Sequence, residues 1–204
     1  ESGAGKTENT KKVIQYLTAV AGTVTNHDNL DQAILRTNPL LEAFGNARTV
    51  KNNNSSRFGK FIEINFNASG YITGCRIDNY LLELTRIVKQ SKSERSFHIF
   101  YQIFGNKKFK DQFKLSQPED YKYLNHSGCF VIPGVDDQEE FEETRKSMSV
   151  IGMSDTEQEH CFAVIAAILH LGNVNITNNS QDLAEINDKS ELKIVADLLN
   201  VPVD

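Results

Sequence analysis

Apolar positions repeat with two different periods along this chain, and the changes of period divide it into elements. Over residues 4–21 the spacing is helical: Val13, Leu17, Val20 and Ala21 recur three and four apart, with Ile14 widening the stripe. Glu8 and Lys12 stand four apart, placed for an ion pair on the polar side of that helix. Residues 22–29 are polar and predict a short loop. A second helix is expected over residues 30–35, broken near Asn38-Pro39 because a residue before proline avoids helical backbone. Residues 40–44 resume a helical turn, and Gly45 is a natural stop.

The period then shortens. Residues 46–57 are polar throughout, and the alternation that follows is that of a strand. Ile62, Ile64 and Phe66 fall on one face with Glu63 and Asn65 on the other. Residues 67–70 supply turn chemistry, and residues 71–77 return as the second strand of a hairpin. The polar run is therefore a loop held on a rigid support, where binding groups tend to sit.

Beyond the hairpin the chain reads as mostly helical. Phe97, Phe100, Tyr101 and Phe104 share a helical spacing that marks core, with His98 beside them in a structural role. Lys107, Lys108, Lys110 and Lys114 read as a solvated helix face around Phe109 and Phe113. Asp136 with Glu139, Ser154 with Glu157, and Ser190 ahead of Leu192 each mark a helix start. The helix from Asp155 to Leu171 is apolar nearly all round, which predicts burial on most sides, and Gly172 is expected to end it. Val201-Pro202 cuts off the last helix. Fold class is α/β, mixed and helix-rich, with an antiparallel hairpin.

Composition narrows the function classes. With 204 residues the chain can bury a substantial core, and its 39% hydrophobic and 24% charged content is that of a globular protein. A net charge of -5 argues against general nucleic-acid binding. No apolar run reaches the roughly 18–20 residues that span a bilayer, and the acidic opening predicts no signal peptide. Cys75, Cys129 and Cys161 have no metal-ligand or disulfide-framework spacing, which fits a reduced, cytoplasmic setting. His160 and Cys161 would point about 100° apart on a helix, so they do not form a catalytic pair.

The chemistry-bearing pattern stands at the start. Glu1-Ser2-Gly3-Ala4-Gly5-Lys6-Thr7 matches the last seven positions of the phosphate-binding pattern G-x-x-x-x-G-K-[ST]. Gly3 and Gly5 let successive N–H groups turn inward around an anion. Lys6 carries an ammonium to the outer phosphates, and the Thr7 hydroxyl suits a magnesium ion bridging them. The following helix contributes the positive end of its dipole. In the polar run, Asn52, Asn53, Asn54, Ser55, Ser56 and Arg57 gather amides, hydroxyls and a guanidinium, groups suited to a polyanion and its metal.

Several segments together resemble the motor heads of myosins. Residues 1–12 are similar to that family's phosphate loop and its continuation, and residues 38–47 and 52–60 to two further signatures, the second being switch I. Residues 94–102 and 168–173 resemble family segments in the same order. The Glu8-Asn9-Thr10-Lys11-Lys12 continuation looks most like conventional class II myosins. Kinesin-type motors share an Asn/Ser-Ser-Arg switch I, but there the arginine is usually followed by Ser-His, whereas Phe58-Gly59 follows it here. A non-catalytic module with a vestigial loop is a further alternative, against which Lys6 and Ser56 both stand.

The resemblance implies roles. Glu1, Ser2, Gly3, Ala4, Gly5, Lys6 and Thr7 would surround the phosphates of ATP, with Lys6 on the β- and γ-phosphates. Thr7 and Ser56 would ligate Mg2+. Asn52 and Asn54 would line the phosphates, Ser55 would lie beside the γ-phosphate and the attacking water, and Arg57 would pair with a switch II glutamate beyond Asp204. Residues 1–80 would then be nucleotide-site elements, and 81–204 the mostly helical upper fifty-kilodalton region. The whole head would hydrolyse ATP and bind actin in the cytoskeleton, with light chains and a dimerising tail outside this fragment; the fragment alone would be inactive.

Overall fold

A computed structural model describes residues 3–21 and 30–203. Helix α1 (Lys6–Ala21) is followed by α2 (Leu30–Gly45), then two short strands, β1 (Asn46–Ala47) and β2 (Ser55–Ser56). The hairpin strands β3 (Gly59–Phe66) and β4 (Ile72–Tyr80) come next. The remainder is chiefly helical: α3 (Thr85–Val88), α4 (Ile99–Gln102), α5 (Lys107–Gln112), α6 (Lys122–Asn125), α7 (Asp137–Val150), α8 (Asp155–Asn173) and α9 (Ser190–Leu199). A small ladder, β5 (Thr177–Asn178) with β6 (Ala184–Glu185), precedes α9. Among the described residues the strands form three separate two-stranded antiparallel sheets. The expected loop over residues 22–29 lies outside the described residues.

Helix α1 buries a different face from the one its pattern predicts. Ile14 and Thr18 are buried, while Val13 and Val20 are exposed. Ile14 packs with Ile34 and Ile72, so the position of α2 and the hairpin selects the buried stripe. Thr18 tolerates burial because its hydroxyl donates to the Gln15 carbonyl at 3.0 Å. The expected Glu8–Lys12 pair is replaced by Glu8–Lys11 at 3.0 Å, because Lys11 faces a second carboxylate, Glu42, at 2.7 Å.

Helix α2 runs unbroken through Pro39, against the expected break. Proline lacks the N–H that would reach the Leu35 carbonyl. The Asn38 side chain donates to that carbonyl at 3.3 Å, and the Thr37 hydroxyl covers Ile34 at 2.7 Å. The helix stops at Gly45 as expected, where a Cβ would stand 2.3 Å from the Phe58 ring. The hairpin is longer than its alternation predicts. Ile62 and Ile64 pack inward, but a register shift between Asn65 and Phe66 leaves Phe66 exposed.

The main core is aromatic. Phe97, Phe100 and Tyr101 are buried as expected, although only Phe100 and Tyr101 lie in a helix, the single turn α4, continued by a 3-10 turn. Phe141 and Phe162 pack at 4.8 Å between centroids, with Phe109 against both. Asp136 caps α7 and the Ser154–Glu157 capping box starts α8. Helix α8 ends at Asn173, one residue past Gly172 and within the usual spread of helix boundaries. Gly172 leaves room for Tyr123, whose ring would lie 2.8 Å from an added Cβ. The basic face is solvated and partnered by acids, Lys108 with Glu159 and Lys114 with Asp197.

Candidate functional site

Two glycines shape the amino-terminal loop. Gly3 and Gly5 have φ of +82° and +85°, backbone that side-chain-bearing residues rarely adopt. Helix α1 begins at Lys6, immediately after them, with Asn9 N–H donating to the Gly5 carbonyl at 2.8 Å. The unsatisfied N–H groups of a first helical turn favour an anion at this end.

The polar run is not an open loop. β1 pairs with β2 in register Asn46↔Ser56 and Ala47↔Ser55, so residues 46–56 form a tight hairpin. Its foot is tied to the aromatic core: Arg95 N–H donates to the Arg48 carbonyl at 3.0 Å, and His98 N–H to Asn46 at 3.1 Å. Arg95 is wholly buried, donates to both carboxylate oxygens of Asp137 at 2.9 Å, and stacks 3.8 Å over the Tyr101 ring. At the tip, Thr49 and Asn52 exchange backbone bonds, and Val50 N–H donates to Glu94 at 3.2 Å.

Loop and hairpin enclose one cavity of about 520 Å³. Gly3, Ala4, Gly5, Lys6, Thr7 and Glu8 line one side; Asn52, Asn54, Ser55, Ser56 and Arg57 line the other. Every expected site residue within the described part of the chain is therefore brought together. Glu1 and Ser2 lie outside the described residues. Across the cavity the Thr7 and Ser56 hydroxyl oxygens are 3.4 Å apart. Two adjacent ligands of an octahedral Mg2+ at about 2.1 Å would sit roughly 3 Å apart, so this pair fits that ion with little movement. Among the described residues no cluster of three or more acids, histidines or cysteines offers another metal site. The donors here are hydroxyls, which leave coordination positions to phosphate oxygens and water.

Arg57 and Asn54 have partners that the sequence did not reveal. Arg57 donates to Ser55 at 3.1 Å and, through Nε, to Glu83 at 2.6 Å. The resemblance implies a switch II glutamate as its partner; within this chain Arg57 pairs with Glu83. Burial raises the Glu83 pKa, but hydrogen bonds from Arg86 and Arg57 outweigh this and hold it below the ordinary carboxylate value. Arg86, buried, also reaches Glu94 at 3.1 Å, so a chain of alternating charges runs from Arg57 to the tip of the polar hairpin.

The Asn54 amide is turned away from the cavity. Its nitrogen donates to Glu42 at 2.8 Å; its oxygen accepts from Asn46 at 2.8 Å and faces His98 Nε2 at 3.2 Å. Asn54 thus lines the cavity while its side chain braces the loop from behind. Since that oxygen can only accept, the proton of neutral His98 sits on Nε2. Burial, and then the nearby Arg95 charge, push the His98 pKa down to about 3. His98 is structural, as expected, and what it supports is the site. Glu42 could have been found as the one carboxylate in the run Leu40-Leu41-Glu42-Ala43-Phe44; nothing in the sequence singles out Glu83.

The sequence matches the myosin head (motor domain) family over residues 1–204. The chain belongs to this family. It is 50% identical over 193 residues to the myosin ID heavy chain of Dictyostelium discoideum, covering 94% of this chain and 17% of that protein. It is 50% identical over 204 residues to the non-muscle myosin-2 heavy chain of Acanthamoeba castellanii, covering 98% of this chain and 14% of that one. Myosin-1 of Emericella nidulans is 49% identical over 204 residues, with 16% of its length covered. This myosin-head chain thus spans less than a fifth of the curated relatives it matches. The kinesin-type alternative falls away. A class II heavy chain stands among the relatives, alongside proteins named myosin-I at similar identity.

Proposed function

We propose that this chain is the nucleotide-binding part of an actin-based motor head that hydrolyses ATP. The observation that carries the reading is the approach of the Thr7 and Ser56 hydroxyls, 3.4 Å apart, across a cavity lined by residues 3–8 and by Asn52, Asn54, Ser55, Ser56 and Arg57. Family membership supports the remainder: a phosphate-loop NTPase fold, residues 1–80 as nucleotide-site elements, and residues 81–204 as the helical upper region. Actin is the proposed partner of the whole head; light chains and a dimerising tail belong to parts outside this segment. The proposed setting is the actomyosin cytoskeleton of the cytoplasm.

Lys6 would hold the β- and γ-phosphates, and the N–H groups around Gly3 and Gly5 the oxygens behind them. Thr7 and Ser56 would hold Mg2+, which would supply charge neutralisation on the phosphates. Ser55, buried and accepting from Arg57, would orient the attacking water. Lys11 joins Glu8, at the edge of the cavity, to Glu42 on α2.

Lys6→Ala in the full-length protein is expected to abolish magnesium-dependent ATP turnover. Near-normal actin-activated hydrolysis in that variant would overturn the reading, and a wild-type protein without magnesium-dependent nucleotide binding would mark the loop as vestigial. The isolated segment is expected to show no turnover.

A further inference from the structure

Helices α1 and α2 and the polar hairpin meet at one carboxylate. Glu42 stands on α2, behind the cavity, next to the fully buried Ala43. Its Oε1 is 2.7 Å from Lys11 Nζ, an ion pair, and its Oε2 accepts from Asn54 Nδ2 at 2.8 Å. Lys11 lies one helical turn beyond Thr7 on the same helix, and Asn54 lies two residues before Ser56 on the same strand arm. Each arm of Glu42 therefore leads, through a short stretch of chain, to one of the two facing hydroxyls.

We propose that Glu42 is a positioning residue: by holding Lys11 and Asn54 it fixes the distance between the Thr7 and Ser56 hydroxyls. This rests on the nucleotide-site reading above and adds to it the element that sets metal geometry. The carboxylate also orients Asn54. An acceptor at Glu42 forces the amide nitrogen toward α2, which aims the oxygen at Asn46 and His98. The Asn54 joint is a charge-assisted hydrogen bond, short and directional, and the Lys11 joint is a close ion pair at 2.7 Å. Burial lowers the Lys11 pKa, yet the hydrogen bonds to Glu42 and Glu8 outweigh this and raise it, so Lys11 stays charged. Without Glu42, Lys11 keeps only Glu8 of these two carboxylates, and the Asn54 nitrogen loses its acceptor.

A structural ion pair and a positioning device make different predictions about the metal. Mg2+ demands near-ideal octahedral geometry, whereas Ca2+ accepts variable coordination and longer bonds. A change in the hydroxyl separation should therefore weaken Mg2+ more than Ca2+, while a general loss of stability weakens both alike. The experiment measures the apparent Kd for Mg2+ and for Ca2+ in the presence of ATP, using the full-length protein. Wild type is compared with Glu42→Ala, Lys11→Met and the double variant, and thermal midpoints are taken in parallel.

Glu42→Ala is expected to raise the Mg2+ Kd by about tenfold or more, the range typical for residues that orient metal ligands, and the Ca2+ Kd by less than about threefold. Lys11→Met, at a partly exposed side chain, should act in the same direction, and the double variant should be no worse than Glu42→Ala. Equal losses for both ions, no loss, or additive effects of the two substitutions would each overturn the proposal. Lys11→Met carries the test if Glu42→Ala does not fold. A wild type lacking metal-dependent nucleotide binding would instead refute the site reading itself, a result distinct from any of these.

Discussion

His98 offers a quantitative test of how the polar hairpin is supported. The ring is buried, its Nε2 faces Asn54 at 3.2 Å, and its pKa is pushed down to about 3 by burial and then by Arg95. An unfolded chain would restore the ordinary value near 6.5. The neutral ring thus contributes stability that is fully present above 6.5 and is lost as pH falls from 6.5 toward 3. Between pH 7 and pH 5 the loss from this one group comes to about 2 kcal/mol. Asp137 and Glu140, both raised chiefly by burial, bind protons more readily in the folded chain and push the other way. The comparison is therefore made against His98→Gln, which keeps a donor toward Asn54 and cannot titrate. Urea unfolding at pH 7 and pH 5 should show wild type losing about 2 kcal/mol more than the variant over that interval. Parallel pH dependences would show that His98 does not sit neutral behind the loop, and the argument for its role would fail.

Two further substitutions separate the core from the site. Phe162→Ala removes a ring with no solvent exposure, packed on Phe141 and Phe109, and should cost about 3–5 kcal/mol by thermal or chemical unfolding. Nucleotide affinity of the folded variant should stay unchanged, as measured by titration. Gly45→Ala would place a Cβ 2.3 Å from the Phe58 ring, beside the carbonyl that accepts from Arg57 N–H at 2.9 Å. Overpacking of this kind costs roughly 1–3 kcal/mol, more than alanine gains over glycine in a helix; a rise in thermal midpoint would refute that assignment.

Periodicity carried the elements whose burial is decided locally. The α7 and α8 caps, the long hairpin and the aromatic core were legible because each signal lies within one segment. What the pattern missed depends on distant partners. Which stripe of α1 is buried follows from Ile34 and Ile72, and neither is visible from α1's own residues. The survival of α2 through Pro39 needs the Asn38 side chain to replace a missing N–H, a substitution that propensity does not register. The two-residue ladder of β1 and β2 is too short to alternate, so it read as a loop. At the site, residue types named the phosphate loop and the hydroxyls. Of the carboxylates behind them, Glu42 is hinted at by its apolar neighbours, whereas Glu83 becomes apparent only once the segment before α3 is in place.

The approach of Thr7 to Ser56 also bears on the order in which the molecule assembles. The polar hairpin closes locally, its Asn46–Asn54 bond spanning 8 positions, whereas the two hydroxyls are 49 positions apart. Closing the longer segment costs about 1.6 kcal/mol more chain entropy than closing the shorter one. The two walls of the cavity should therefore form separately and meet late. A ligand bridging them would bind only the joined state and so draw folding forward by mass action. The proposed nucleotide and magnesium would, on this reading, also favour folding of the chain.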